Sequence, residues 1–384
     1  MKHFYNLRPL SSVLKKAAQL AQCLAILAIM AWPFSKGFAQ APAISYSTPQ
    51  TYTAYVPMTT LSPSNTGGAV TAPGFNTSTT TLNTGISDAN CVAIGSDGNL
   101  YIGESSGQIS VYTPGGGPAT VYKTGFGPVT GICADPSNNI YLADGTYIWE
   151  ILAGGGAASK VGAFTQATGV AIDAGNNLYV TQPGGVAELL SYRYAETQRS
   201  NVASPQGVAV DANGIVYVGD QSSQAFYKIA PNNVQTQISS AITPQAITVD
   251  PSGNVYLASS AGLYMISAGG AGPFLVGSGT SFNATGIAVD ANFNLYLANG
   301  TITETQPNGG YFIKPALLQG LTFDMTSGQI SGTPGVIAAN NNYTITAYNA
   351  SGWPHVYRRA PAGRQHVYRV QSNNINITGS IGRN

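Results

Sequence analysis

Three histidines, three cysteines and 15 acidic residues are the groups in this 384-residue chain from which acid–base, nucleophilic or metal chemistry could be built. His3, His355 and His366 all lie near the two ends. Five of the acids recur as Asp135, Asp173, Asp211, Asp250 and Asp290, each closing a short apolar run and entering a turn such as Pro251-Ser-Gly-Asn254. A carboxylate there can accept backbone N–H bonds of its own turn. A calcium site is the sharper alternative, but each Asp stands without the several oxygen ligands that calcium takes. No serine-nucleophile elbow and no phosphate-cradling loop occurs. Two further sets recur once per repeat. Asn90, Thr130, Thr168, Gln206, Gln245 and Thr285 precede the apolar runs, and Glu104, Asp144, Gln182, Asp220, Ser259 and Asn299 follow the next runs. The first set predicts a ring of neutral hydrogen-bonding groups suited to a sugar, a peptide or ordered water, or simply to solvating a loop face. Glu104, Asp144 and Asp220, with Asn90, could offer oxygens to a hard cation such as calcium or magnesium.

These residues need a frame that brings distant stretches to one place, and a repeat supplies it. Gly286-Ile-Ala-Val-Asp290 followed by Leu295-Tyr-Leu-Ala-Asn299 is one of six copies, the others beginning at Cys91, Gly131, Gly169, Gly207 and Ala246. The starts lie 40, 38, 38, 39 and 40 residues apart. A period near 40 with short strands in each unit predicts an all-β, six-bladed propeller. The first strand of each unit alternates large and small, as in Val208, Ala209 and Val210, so that a bulky face can meet an alanine face on the neighbouring blade. Residues 77–82 stand where an outer strand precedes each later repeat. They are expected to complete the sixth blade and so remove two open sheet edges. In this arrangement both polar sets share one mouth of the central channel.

The runs from Gly131 to Asp144 and from Gly207 to Asp220 resemble the NHL-repeat family, and the resemblance covers 77 to about 306. Gly95 in place of the turn Asp is the departure in the first repeat. The resemblance implies a propeller, with functions ranging from binding scaffolds to lyases and lactonases; fold does not choose among them. Amidating lyases and streptogramin-type lyases of similar architecture rely on histidines, which the repeats here lack. Gluconolactonase-like propellers use Glu, Asn and Asp around a divalent ion, but no motif of that family is evident.

The chain is electrically segmented. Residues 1–39 carry five basic groups and 353–384 another five, neither with an acid, leaving six basic groups against 15 acids between them. Charged residues make up 8% of the chain, which argues against nucleic acid as a partner, since phosphates need clustered Lys and Arg. Lys2, Arg8, Lys15 and Lys16, the apolar run to Phe34 and Gly37-Phe-Ala39 together describe a secretory signal peptide, with an uncleaved anchor as the alternative. No transmembrane segment is expected in the mature chain, which would be secreted, periplasmic or at the cell surface. Cys91 and Cys133 fall in neighbouring repeats, as a disulfide or as two small buried residues.

From Pro307 the repeat stops. Leu321-Thr-Phe-Asp324 through Ile330-Ser-Gly-Thr-Pro334 closely resembles immunoglobulin-like domains of bacterial surface proteins, and residues 44–70 resemble the first half of that pattern. Neither piece has enough strands for a two-sheet core, which favours a propeller inserted into one split sandwich. The expected division is a signal peptide over 1–39, an N-terminal sandwich part over 40–74, the propeller over 75–306 and the C-terminal sandwich part with its basic tail over 307–384. Within that tail His355-Val-Tyr-Arg-Arg and His366-Val-Tyr-Arg form either a basic patch for acidic polysaccharide or envelope lipid, or an exposed loop. The resulting expectation is an exported, non-catalytic protein with no cofactor, its propeller face holding an extracellular glycan, peptide or protein. A lactonase or lyase using channel-bound calcium or magnesium is the alternative.

Overall fold

The computed structural model describes residues 40–47, 50–191, 196–268, 270–336 and 341–349, together with a strand over 372–380. Residues 1–39, where a signal peptide is expected, and the two His-Val-Tyr-Arg stretches lie outside the described residues. From residue 41 onward the described chain belongs to one compact unit.

Six four-stranded antiparallel sheets follow one another. Their inner strands are Ala89–Ile94, Gly131–Ala134, Gly169–Ile172, Pro205–Val210, Ala246–Val249 and Gly286–Val289. Each packs beside the next, and the sixth beside the first, so the ring is closed. The small residue at the head of these strands has a steric cause. A Cβ on Gly131 would lie 2.7 Å from Gly169 Cα, and one on Gly286 would lie 2.6 Å from Cys91 Cα. The strands converge on the axis too closely there for a side chain. Six of the apolar clusters each join one blade to the next, and Ala288 and Tyr296 of blade 6 pack with Val92 and Leu100 of blade 1.

The recurring Asp locks the turn between the first two strands. In blade 3, Asp173 accepts N–H bonds from Gly175 and Asn177, both at 2.8 Å, and further bonds from Asn177 Nδ2 and Tyr179 Oη. Asp211, Asp250 and Asp290 repeat the pattern. All donors are internal, which makes these carboxylates turn caps. Blade 1 has Gly95 at this position, and Asp97 takes over by accepting from Asn99, Tyr101 and, across the blade boundary, Asn138.

Blade 6 is completed from the other end of the propeller. Thr80–Thr81 pairs with Thr301–Thr305, and Leu82 N–H donates to Ile302 O at 2.9 Å. Immediately beside this closure Gly74–Phe75 pairs with Pro307–Lys314, so the chain enters and leaves the propeller side by side. A five-stranded sheet then runs in the order Gln50–Thr53, Ser372–Ser380, Asn341–Tyr348, Pro307–Lys314, Gly74–Phe75. Segments from before and after the propeller therefore build one module, the first two of these strands pairing in parallel. Its core joins Ile44, Tyr52 and Leu61 to Tyr311, Ile330, Tyr343 and Ile345. The chain is an all-β, six-bladed propeller with an immunoglobulin-like module.

The module rests on the turns of blades 5 and 6. Ala316 N–H donates to Pro251 O, Tyr348 Oη to Asn292 O, and Ser252 Oγ to Ile313 O. Phe293 occupies the fourth turn position of blade 6 at φ 66°, where other blades place Asn or Gly. A bulky residue is disfavoured there. It is held by burial, 1% exposed, with its ring 4.9 Å from that of Phe312.

Candidate functional site: the channel mouth

The residue just before or at the head of each inner strand points into a cavity of about 240 Å³ at one end of the propeller axis. Asn90, Thr130, Thr168, Gln206, Gln245 and Thr285 all line it, one from each blade. The first predicted ring is thus assembled in space. Its members are not equivalent, however. Asn90 Nδ2 donates to Val129 O of blade 2 at 2.7 Å. Thr130 Oγ1 bonds Ala167 O at 2.8 Å, Thr168 Oγ1 bonds Pro205 O at 3.0 Å, and Thr285 Oγ1 bonds Asn90 O at 2.7 Å. Each of these four side chains ties its blade to the following one. The three threonines also reach an acceptor on the second strand of their own blade.

Gln206 and Gln245 are the exceptions. Among the described residues, neither amide has a hydrogen-bond partner within the chain, and the same holds for Gln221, which lines the cavity beside them. Side-chain length is the physical reason. Thr and Asn are short enough to bond the adjacent strand's carbonyl, whereas the longer Gln side chain carries its amide beyond it. In blade 4 a register shift between Gln206 and Val208, with Gly207 at φ 50°, also re-aims the strand head. Gln221 was missed by the sequence reading; its one signal is its position directly after Asp220, at the end of a second strand.

The second predicted set is not brought to the cavity. Glu104 is 5% exposed and accepts from Ser110 Oγ at 2.5 Å and Gln108 Nε2 at 3.0 Å. Asp144 accepts from the Thr146 and Tyr147 N–H groups and from Trp149 Nε1 at 2.7 Å. Asp220 accepts from Ser204 N–H, Ser222 N–H, Ser222 Oγ and Ser223 Oγ. Gln182 binds Glu196, Ser259 Oγ donates to Gly262 O, and Asn299 Nδ2 donates to Asn283 O. These groups hold the turns and loops around the second and third strands. For Asp144 and Asp220, burial opposes ionisation, but the converging donors outweigh it and hold both carboxyls below the usual carboxylate range. Such carboxylates are weak bases with their lone pairs already engaged.

A divalent cation does not fit this arrangement. Glu104, Asn90, Asp144 and Asp220 do not converge, and among the described residues no three His, Cys, Asp or Glu side chains gather as a metal site would require. The cysteines offer no nucleophile either. Both are free thiols; burial pushes Cys91 up to about 12 and Cys133 further in the same direction. Cys133 lines a second cavity of about 260 Å³ at the other end of the axis. The six β-branched residues Val92, Ile132, Val170, Val208, Ile247 and Ile287 line both cavities and form the waist between them.

An Ig domain family model (He_PIG) matches residues 275–361. Its first part overlaps strands that pair within blades 5 and 6, while its remainder covers the module. No curated protein matches the sequence. The gluconolactonase XC5397 from Xanthomonas campestris is similar in structure, with a TM-score of 0.54 at 14% identity over 63% of this chain and 98% of that one. A structural-genomics target carrying the gluconolactonase name gives 0.52 at 11% identity over 62% of this chain and 94% of that one. A streptogramin B lyase gives 0.48 at 11% identity over 61% and 98%. At these identities the likeness establishes the propeller frame and carries no reaction across. It speaks against the expectation of a non-catalytic binding protein, because the two solved propellers named here with TM-scores above 0.5 both bear the name of an enzyme. Among the described residues no helix is long and apolar enough to cross a membrane.

Proposed function

We propose that the propeller is a lactonase-type enzyme for a small neutral cyclic ester, with the mouth cavity as its substrate site. The observation that carries this is the cavity lining: every blade contributes a neutral hydrogen-bonding residue, and no charged side chain is present. A neutral lactone loses little by entering such a site. The hydroxy acid formed from it is an anion at neutral pH and finds no cation to hold it, which favours release. About 240 Å³ lies below the usual range for drug-sized ligands and suits a monosaccharide-sized ring.

In the reaction, water adds to the lactone carbonyl and the ring C–O bond breaks to give a hydroxyl and a carboxyl group. Negative charge develops on the carbonyl oxygen as water adds. Amide N–H groups standing free at the mouth can donate to that oxygen. Since the described residues do not suit a cation, no step is assigned to one. Export by a leader over residues 1–39, and a sugar-derived substrate met outside the cytoplasm, belong to the same proposal. The test is a pH-stat screen of aldonolactones and simple lactones with the purified chain. Saturable acid release unaffected by chelator supports the reading; no turnover of any lactone at micromolar protein overturns it.

A further inference from the structure

We infer that the mouth holds its ligand off-axis, over blades 4 and 5, through the three carboxamides of Gln206, Gln245 and Gln221. This deepens the proposed function and rests on the mouth being the substrate site. The argument begins with what the ring spends on itself. Asn90, Thr130, Thr168 and Thr285 use their polar groups to tie blade 6 to 1, 1 to 2, 2 to 3 and 3 to 4. A ligand competing for the donors of those groups would have to break bonds between blades. Gln206 and Gln245, on the adjoining blades 4 and 5, are half-buried and have no partner among the described residues, while Gln221 is exposed beside them. The sixfold repeat thus leads to a one-sided site.

The chemistry of that side restricts what it recognises. Each carboxamide offers two donors and an acceptor and carries no charge. Three together match a ligand face on which donors and acceptors alternate, as vicinal hydroxyls do on a pyranose or sugar-lactone ring. A carboxylate would meet N–H donors but no cation to offset its desolvation, and would leave the amide oxygens without a donor. The structure therefore assigns to this subsite a neutral, hydroxyl-rich ring.

The experiment uses the full chain with D-glucose as the neutral ring probe and gluconate as the anionic one, followed by saturation-transfer NMR and titration. Glucose is expected to bind and gluconate at least tenfold more weakly. Gln206→Leu and Gln245→Leu should each weaken glucose binding about threefold to tenfold, the loss of one or two neutral hydrogen bonds. Gln237→Leu, on the outer strand of blade 4 and outside the cavity lining, should leave affinity within twofold and serves as the folding control. Equal losses at Gln237 and Gln206, unchanged binding in the Gln206 and Gln245 variants, or no binding of glucose would each overturn the subsite. The two proposals fail separately. Lactone turnover insensitive to both glutamines would sink the subsite and keep the lactonase reading. Glutamine-dependent glucose binding without lactone turnover would do the reverse.

Discussion

The turns of blades 3 and 5 carry the same Asp–Asn–Tyr lock in two different settings. Asp173 accepts from Gly175, Asn177 and Tyr179 at a surface turn, and Gly175 beside it is exposed. Asp250 accepts from the equivalent Ser252, Asn254 and Tyr256 in a turn on which the immunoglobulin-like module rests through Ser252 and Ile313, and it is 4% exposed. Burial outweighs all of those donors and raises its carboxyl above the usual carboxylate range. Asp97, with a comparable set of donors at the surface of blade 1, is shifted the opposite way: burial there is outweighed by the bonds from Asn99, Tyr101 and Asn138. A local motif determines which bonds form, and the neighbour determines what those bonds cost.

Removing the lock should expose this difference most clearly. Asp250→Ala leaves two backbone N–H groups, the Asn254 amide and the Tyr256 hydroxyl without their acceptor in a buried place. A loss of about 3 kcal/mol or more is expected in urea unfolding. Asp173→Ala should cost about 1 kcal/mol, since water can reach the freed donors. Equal losses at the two sites would mean that the module does not cover the turn of blade 5 in solution.

Phe293→Ala comes next. It removes a ring packed against Phe312, normally worth about 3 kcal/mol or more, and leaves the positive φ on a residue that still carries a Cβ. A net loss of about 3 kcal/mol is expected. The corresponding change at the surface, Asn176→Ala in blade 3, keeps φ 60° with a residue less suited to it and should cost about 1 kcal/mol. If Phe293→Ala proves neutral, that ring is not what holds the module to blade 6.

The smallest effect is the pH dependence, and its sign differs between the two settings. Asp97, Asp144, Asp220 and Asp324 lie below the usual range in the folded state. Their contribution is present above the unfolded carboxylate value near 4 and is lost as pH falls through the folded values. Asp250 opposes them. With its folded value raised, the folded state binds the proton more tightly, so stability falls as pH rises from about 4 through that folded value. Asp250→Asn should therefore make the melting temperature climb more steeply over that interval than in the parent protein. An unchanged profile would place Asp250 in water.

Much of the frame was legible because it rests on local sequence. The period near 40, the large–small alternation and the turn Asp recur without reference to anything distant, and residues 77–82 stood out by occupying an outer-strand place. Thr80 and Thr81 pair with Glu304 and Thr303 accordingly. The first polar ring was legible for the same reason, as one residue per repeat leading into an inner strand. What could not be read was the use to which each member is put. Thr130 and Gln245 hold equivalent positions, but whether a side chain ends on the next blade's carbonyl or in the cavity depends on the gap between blades and on its own length. The second polar set failed because Glu104, Asp144 and Asp220 satisfy short-range partners such as Ser110, Trp149 and Ser222, and short-range partners win when they are already in reach.

By itself, then, the sequence determined the number of blades, the strand alternation and the turn locks. These depend on residues a few positions apart, and side-chain alternation along a strand is a property of the backbone. Tertiary structure alone decided which polar groups became staples, which amides were left to face the cavity, and which turn carboxylate lost its water. Those outcomes depend on distances between strands about 40 residues apart and on a module whose halves lie on both sides of the propeller, and no stretch of sequence carries such distances within itself.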